Sequence, residues 1–376
     1  MAIEKVRACF KEYGIEDRIL EFDVSSATVE LAAAALGCAP KRIAKTLSFM
    51  VKDTPILIVA AGDAKIDNPK YKAKFQTKAK MLEFEQVEEL VGHAVGGVCP
   101  FAIKEGVEVY LDESLKRFKT VFPACGSANS AIELSLEELE KYSGYSEWVD
   151  VCKIPQYYLL FDLDGTLTDP MEGITKSVQH ALKAFGIEEP DLQKLTPFIG
   201  PPLKDSFMEF YGFDEAKAEE AIARYRERFR DVGIFENKVY EGIPEVLAEL
   251  KNQGCHLAVA SSKPEIFVKQ ILEHFAIAEY FEVVVGSELD GRRTDKAEVV
   301  HEALNRLYGE EPDSESALPK KKTTYMVGDR KFDIIGAKKA GLKSVGVSFG
   351  YGPREELEAE TPDYIVDTVP DLLKVL

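Results

Sequence analysis

The chain has 376 residues, 45% of them hydrophobic and 30% charged, a composition able to bury more than one core and incompatible with disorder as the main state. With 47 Lys+Arg against 65 Asp+Glu the formal net charge is −18, which argues against a protein that coats nucleic acid non-specifically. No segment approaches the ~20 apolar residues of a membrane span, and the opening MAIEKVRACFKEYG lacks the apolar run of a secretory signal, so no membrane is expected and the expected compartment is the cytoplasm.

In chain order, SSATVELAAAALG (25–37) reads as an Ala-rich helix with hydroxyl N-cap candidates and Gly37 at its end. Pro40 predicts a short second helix closing near Ala44. TLSFMV and PILIVAAG read as strands joined by a polar turn. A lysine-rich stretch follows at 65–80, in which Lys70, Lys74 and Lys78 are four apart and would share one face of a helix. That face is either plain solvated charge or a phosphate-contacting patch. LEFEQVEELVG reads as a helix; AVGGVCPF, VEVYLDES, TVFPACG and SAIELS as short strands or strand–loop units; LEELEKYSG as a closing helix. The first block is therefore a mixed α+β domain over residues 1–152.

From Tyr157 the pattern changes. YYLLFDLD, HLAVASS, FEVVVGSE, TTYMVGD and KSVGVSF are β-branched or aromatic runs separated by helical stretches. This is the signature of an α/β doubly wound parallel sheet, spanning 157–376, that binds ligands at the carboxyl ends of its strands. About 90 residues, mostly helical, separate its first two strands. They predict a small helical cap inserted at about 171–241. The six cysteines lie far apart without a C-x-x-C pair and read as reduced thiols.

Asp162 and Asp164 stand one residue apart at the end of the first strand of this block, which sends both carboxylates to one side. Gly165 and Thr166 then turn the chain over a ligand. Such a pair can divide two tasks, one carboxylate attacking phosphorus and the other handling the leaving-group proton. Ser261 at the second strand's tip can hydrogen-bond a phosphate oxygen. Lys296 near a helix start can neutralise phosphoryl charge. Asp329, with Asp333 four residues on, is placed to ligate and support a cation. Lys204, Arg224 and Arg226 in the cap are candidates to meet a second anionic group. In the first block, Lys45 lies among apolar neighbours. Gly96, Gly97 and Pro100 form a turn whose backbone N–H groups can approach a ligand closely.

The ordered set FDLDGT, VASSK, the Lys296 segment and VGDRKFD resembles the haloacid dehalogenase superfamily of phosphatases, and the insert with Phe198-Ile199-Gly200-Pro201-Pro202 resembles the cap of phosphoglycolate-phosphatase-like members. The resemblance implies that Asp162 forms a phosphoaspartate and that Asp164 is acid, then base. It implies Mg²⁺ held by Asp162, the Asp164 carbonyl and Asp329, with Asp333 in support. Over residues ~1–150, SSATVELAAAALG, RIAKTLSF, GGVCPF, YLDESL and PACGSANSAIELS resemble the YbaK/ProX-type aminoacyl-tRNA deacylases, which are similar to the editing domain of prolyl-tRNA synthetase. That resemblance implies that Lys45 contacts the aminoacyl ester or the tRNA end. The Gly96–Pro100 segment would hold the amino acid, and water helped by a ribose hydroxyl would cleave the ester.

The expected protein is a two-domain hydrolase. One domain edits mischarged tRNA at its acceptor end. The other hydrolyses a small phosphate monoester, phosphoglycolate first and a nucleoside monophosphate second. Two alternatives stand beside it: a first domain that only binds tRNA or protein, and a second domain that is a phosphotransferase or mutase.

Overall fold

A computed structural model describes residues 2–376. It divides into two compact units, one reaching to Pro155 and including Lys374–Leu376, the other Gln156–Leu373. No described helix is long and apolar enough to cross a membrane.

The first unit is built on a six-stranded mixed sheet in the spatial order Leu134–Ser135, Thr120–Pro123, Ile43–Val51, Thr54–Ala61, Glu108–Asp112, Glu147–Val149. Ile43–Val51 and Thr54–Ala61 form an antiparallel hairpin closed by Lys52 and Asp53. Residues 56–61 of the second strand are at most 1% exposed, as a continuous apolar run in mid-sheet requires. The helix Val29–Leu36 is capped by the Thr28 hydroxyl, which accepts from the Leu31 N–H, and ends at Gly37 in the left-handed region.

Two expectations are corrected, one open reading is settled and one element is new. Pro40 opens only a single 3-10 turn, Pro40–Arg42, and Ala44 is already in a strand, because Ile43 and Ala44 pair with Phe122 and Pro123. Of the strand and strand–loop readings left open for AVGGVCPF, the structure shows the loop, turn and bend over GGVCPF. The lysine-rich helix is short, Asn68–Phe75, so Lys78 is not on it. Lys70 and Lys74 pair with Asp150 and Glu147, each at 2.7 Å. The charge of that face is thus largely neutralised within the protein. An opening helix, Ala2–Glu12, buries Ile3, Val6 and Phe10 and has no counterpart in the expected elements.

The second unit carries the expected parallel sheet, in the order Val283–Ser287, His256–Pro264, Tyr158–Phe161, Thr324–Gly328, Lys343–Val347, Tyr364–Val366. Its first strand in the chain lies centrally, flanked on both sides by parallel partners. The sixth strand, three residues long, was not expected from the sequence. The helical insert contains Met171–Ala184, Leu203–Tyr211 and Glu215–Arg228, the last running into a π turn at Phe229–Gly233. It leaves and re-enters through one two-stranded antiparallel stem, Thr168–Asp169 with Lys238–Val239. The stem fixes both ends of the insert beside the Asp162–Asp164 loop.

Candidate active site and metal cluster

The central strand ends at Phe161, and Asp162 follows at the carboxyl edge of the sheet, where the next strand delivers Asp329 just past Gly328. Asp162, Asp329 and Asp333 are all buried, and one carboxylate oxygen from each lies within 4.8 Å of the others. Lys296, the first residue of the helix Lys296–Tyr308, sits beneath them. Its Nζ is 2.9 Å from Asp162 Oδ1 and 2.8 Å from Asp333 Oδ1, and it donates to the Ala260 carbonyl at 3.1 Å. Burial works against the Lys296 charge, but Asp162 and Asp333 outweigh it and the ammonium is held more tightly protonated than usual.

Three buried carboxylates against one buried ammonium leave a surplus of negative charge. Burial pushes Asp329 well above the usual carboxylate range, and Asp333 and Asp162 add to the shift. Burial also pushes Asp333 up, to about 6, despite Lys296 beside it. Asp329 Oδ2 accepts from the Tyr351 N–H at 2.8 Å, whereas Asp329 Oδ1 is buried with no hydrogen-bond partner. Gly165 and Gly350 make room for this carboxylate: a Cβ at either would fall 2.2–2.3 Å from Asp329 atoms. An orphaned carboxylate oxygen in an all-oxygen cluster fits a hard divalent cation such as Mg²⁺.

This arrangement carries a stability signature. A carboxyl whose pKa is raised on folding favours the folded state at low pH and loses that contribution as pH rises through its folded value. Metal-free protein should therefore lose stability from this cluster as pH rises through about 6, and a cation should restore it. The Tm increment produced by Mg²⁺ is expected to be larger at pH 7.5 than at pH 5. An increment equal at the two pH values, measured by differential scanning calorimetry, would contradict the cluster as a cation site.

Above the cluster lies a cavity of about 570 Å³ lined by Asp162, Asp164 and Ser261 from the sheet edge and by Phe198, Gly200, Tyr225 and Arg226 from the insert. Asp164 is buried, and Lys263 Nζ donates to both of its oxygens, at 3.0 and 2.8 Å. Burial nevertheless raises the Asp164 pKa above its usual value. Of the expected phosphate-binding residues, Ser261 lines the cavity. Lys296 faces the carboxylates from below, and Thr166 is fully buried with an unpartnered hydroxyl; neither lines the cavity. Lys204 and Arg226 line it, while Arg224 instead pairs with Glu227 at 2.9 Å. Lys263 was missed. The signal was present, since it stands two residues after Ser261 in the same extended run and so on the same face.

In the first unit, Lys45 is half-buried on its strand, and its Nζ donates to the carbonyls of Gly62, at 2.9 Å, and of Ala64. Burial lowers its pKa. A Cβ on Gly96 would fall 3.1 Å from the Ala27 side chain, and one on Gly97 2.8 Å from the Ser127 backbone, so the Gly96–Pro100 turn packs closely on both. Cys99, inside that turn, has a basic neighbour that sequence did not reveal: its Sγ is 3.8 Å from His93 Nε2. The same Nε2 lies 2.8 Å from the Phe101 carbonyl, to which it must donate, so it cannot also take the thiol proton. Burial raises the Cys99 pKa to about 12 and lowers that of His93. The pair is held as a neutral thiol and imidazole within the packed turn.

The family model described as haloacid dehalogenase-like hydrolase matches residues 159–347, and the one described as aminoacyl-tRNA editing domain matches residues 24–142. A 5'-nucleotidase of Pseudomonas aeruginosa is 49% identical over 218 residues, 58% of this chain and 94% of that protein. The uncharacterized protein YwhH of Bacillus subtilis is 55% identical over 154 residues, 41% of this chain and 98% of that protein. A predicted phosphatase from Clostridium acetobutylicum matches in structure with a TM-score of 0.54 at 51% identity, covering 58% of this chain and 98% of its own.

Proposed function

Because the chain belongs to the haloacid dehalogenase-like hydrolases and joins to that domain an aminoacyl-tRNA editing domain, we propose that it hydrolyses a phosphate monoester at Asp162 and an aminoacyl-tRNA ester near Lys45. The observation that carries the first activity is the buried pair Asp162 and Asp164 facing one cavity, with Lys296 beneath Asp162. Asp162 attacks phosphorus and becomes a phosphoaspartate. Asp164, whose pKa burial has raised, gives its proton to the departing ester oxygen. It then takes a proton from the water that cleaves the acyl phosphate. Ser261 hydrogen-bonds a phosphoryl oxygen. Asp162, Asp329 and Asp333, with the Asp164 carbonyl, would hold Mg²⁺, which when bound neutralises charge on the phosphoryl group.

We rank a nucleoside monophosphate above phosphoglycolate as substrate, reversing the order expected from the cap's resemblance. A cavity of about 570 Å³ lies within the roughly 300–1,000 Å³ of small-molecule sites, far more room than a two-carbon acid fills. Besides Asp162, Asp164 and the Lys263 that pairs with Asp164, its lining carries Asp205, Glu219, Glu288 and Asp290 against Lys204 and Arg226. Lys204 is already committed to Glu215 and Glu219, each at 3.2 Å. A second carboxylate on the substrate meets net negative charge there, whereas a ribose and base do not. The relative named as a 5'-nucleotidase supports the same order. In a release assay for inorganic phosphate, kcat/KM for nucleoside 5'-monophosphates is expected to exceed that for phosphoglycolate by about tenfold or more. Equal values, or a preference for phosphoglycolate, would reject this ranking, and phosphate passed to a second substrate instead of released would favour a phosphotransferase.

For the editing domain, two of the three Lys45 N–H groups are engaged by carbonyls, leaving one to meet an ester or a terminal phosphate of the tRNA acceptor end. Deacylation of mischarged tRNAs, assayed without Mg²⁺-dependent phosphatase substrates present, tests this half. We read residues 1–152 and 157–376 as separate folding domains. The six cysteines, none of them in a disulfide, accord with a reducing compartment such as the cytoplasm.

A further inference from the structure

Arg330 follows Asp329 directly, and its side chain joins two parts of the second unit that are remote in sequence. Its Nε and Nη2 donate to the two oxygens of Glu356 at 2.9 and 3.2 Å. Its Nη1 donates to the carbonyl of Ile199, 131 residues away, at 2.8 Å. Ile199 is fully buried and belongs to the Phe198–Pro202 loop of the insert, of which Phe198, Gly200, Pro201 and Pro202 line the cavity. Phe198 packs edge-on against Phe207 and Phe210, so the loop is continuous with the aromatic core of the insert. The next residue, Gly200, has φ +102, and a Cβ there would lie 3.1 Å from Arg330 Cγ and Nη1. The guanidinium therefore fills the space that a side chain at 200 would take.

The backbone of Arg330 is tied to the other side of the site. Its N–H donates to Asp333 Oδ2 at 3.1 Å, and the Lys331 N–H donates to Glu356 Oε1 at 2.9 Å. One residue thus connects the loop bearing two of the clustered carboxylates with the roof of the cavity. Only arginine can do this. Its planar fork makes the bidentate contact to Glu356 while the remaining N–H₂ reaches the carbonyl.

We propose that Arg330 is a latch that positions the cap loop over the catalytic carboxylates, so that cap closure, substrate retention and the geometry of the Asp329–Asp333 loop are coupled through it. The role is a positioning one and rests on the monoester hydrolysis proposed above. Closing a site by a loop contact made in the closed state favours retention of substrate over the chemical step. Loss of the latch should therefore weaken KM more than kcat. Reciprocity requires that whatever tightens the loop also favours binding at the cluster.

The test uses the full chain and three variants, Arg330→Met, Arg330→Lys and Gly200→Ala, the last reaching the same contact from the cap side. Hydrogen exchange of the loop amides 198–200 and 203 (Pro201 and Pro202 carry no N–H), read in the ligand-free protein, is expected to speed up on the order of tenfold in Arg330→Met and Gly200→Ala, within the roughly 5–150-fold span of such couplings. Amides of the strand Tyr158–Phe161 should be unchanged. With p-nitrophenyl phosphate and Mg²⁺, KM should rise by a similar factor while kcat stays within about threefold. Arg330→Lys should recover part of the loss. A merely structural role would lower Tm and speed exchange throughout without splitting KM from kcat. Wild-type exchange at these amides in Arg330→Met overturns the latch whatever Gly200→Ala does, since alanine at φ +102 strains the loop backbone by itself. If Arg330→Met does not fold, Arg330→Lys decides, and exchange and KM that match wild type there overturn the latch. A wild-type protein that hydrolyses no monoester overturns the catalytic reading, while the exchange measurement still decides the latch.

Discussion

Asp162→Asn is expected to lower phosphate-ester hydrolysis by about four orders of magnitude or more, the scale seen when a covalent nucleophile is removed. The amide is nearly isosteric with the carboxylate it replaces, so the buried side chain keeps its volume at the strand end. It cannot form the acyl phosphate. The Lys296 ammonium keeps Asp333 at 2.8 Å and the Ala260 carbonyl at 3.1 Å, so it is not stranded by the change. Steady-state phosphate release and a thermal melt on the same preparation separate lost chemistry from lost fold. Activity within about tenfold of wild type in a folded variant would remove Asp162 from the role of nucleophile. Asp164→Asn should fall less steeply on esters with good leaving groups, since those need no proton from residue 164.

The residues of this site were legible because parallel sheets place their chemistry at one edge. Each of Asp162, Ser261 and Asp329 ends an apolar run, and a run's end is visible in sequence. What was not legible depends on long-range packing. Lys296 was legible only as a cation near a helix start; that its Nζ stands 2.9 Å from Asp162 and 2.8 Å from Asp333 depends on where the helix Lys296–Tyr308 packs, which no local pattern shows. The contact of Arg330 with Ile199 joins positions 131 residues apart, and no local pattern announces it. The Tyr364–Val366 strand is too short for periodicity to register. For AVGGVCPF the pattern leaves strand and strand–loop open, and Gly96 at φ +91 decides for loop. The opening helix did carry its signal, with Ile3, Val6 and Phe10 at helical spacing. The lysine face failed for a different reason: Gln76 takes φ +59 and ends the helix before Lys78. With Lys70 and Lys74 paired internally, their contribution to tRNA binding should be small, and a docking surface is better sought around Lys45.

Lys45→Ala is expected to lower aminoacyl-tRNA deacylation by about 100-fold or more, the scale of losing one aimed donor in a water-poor site, while phosphate release stays at the wild-type rate. The Lys45 ammonium is fixed by the carbonyls of Gly62 and Ala64. The turn carrying those carbonyls is itself pinned by Asp63, which accepts from Arg117 at 3.0 and 2.5 Å in a nearly buried ion pair. A charged donor held this rigidly is pre-organised for an ester or phosphate oxygen, and its burial lowers its pKa without help from a ligand. The alanine variant also strips two carbonyls of their partner, at a cost of roughly 1–3 kcal/mol for each group left unpaired, so its melt must be read beside its rate. Lys45→Met leaves the same carbonyls unpaired but keeps the side-chain volume, so the rate of a folded Met variant reports the lost donor without the cavity of the alanine variant. If the Met variant is folded and still deacylates at the wild-type rate, Lys45 is a plug for two carbonyls and the domain's role is to bind. If both activities fall together in either variant, the two sites are energetically coupled and a simple fusion of independent hydrolases does not describe the chain.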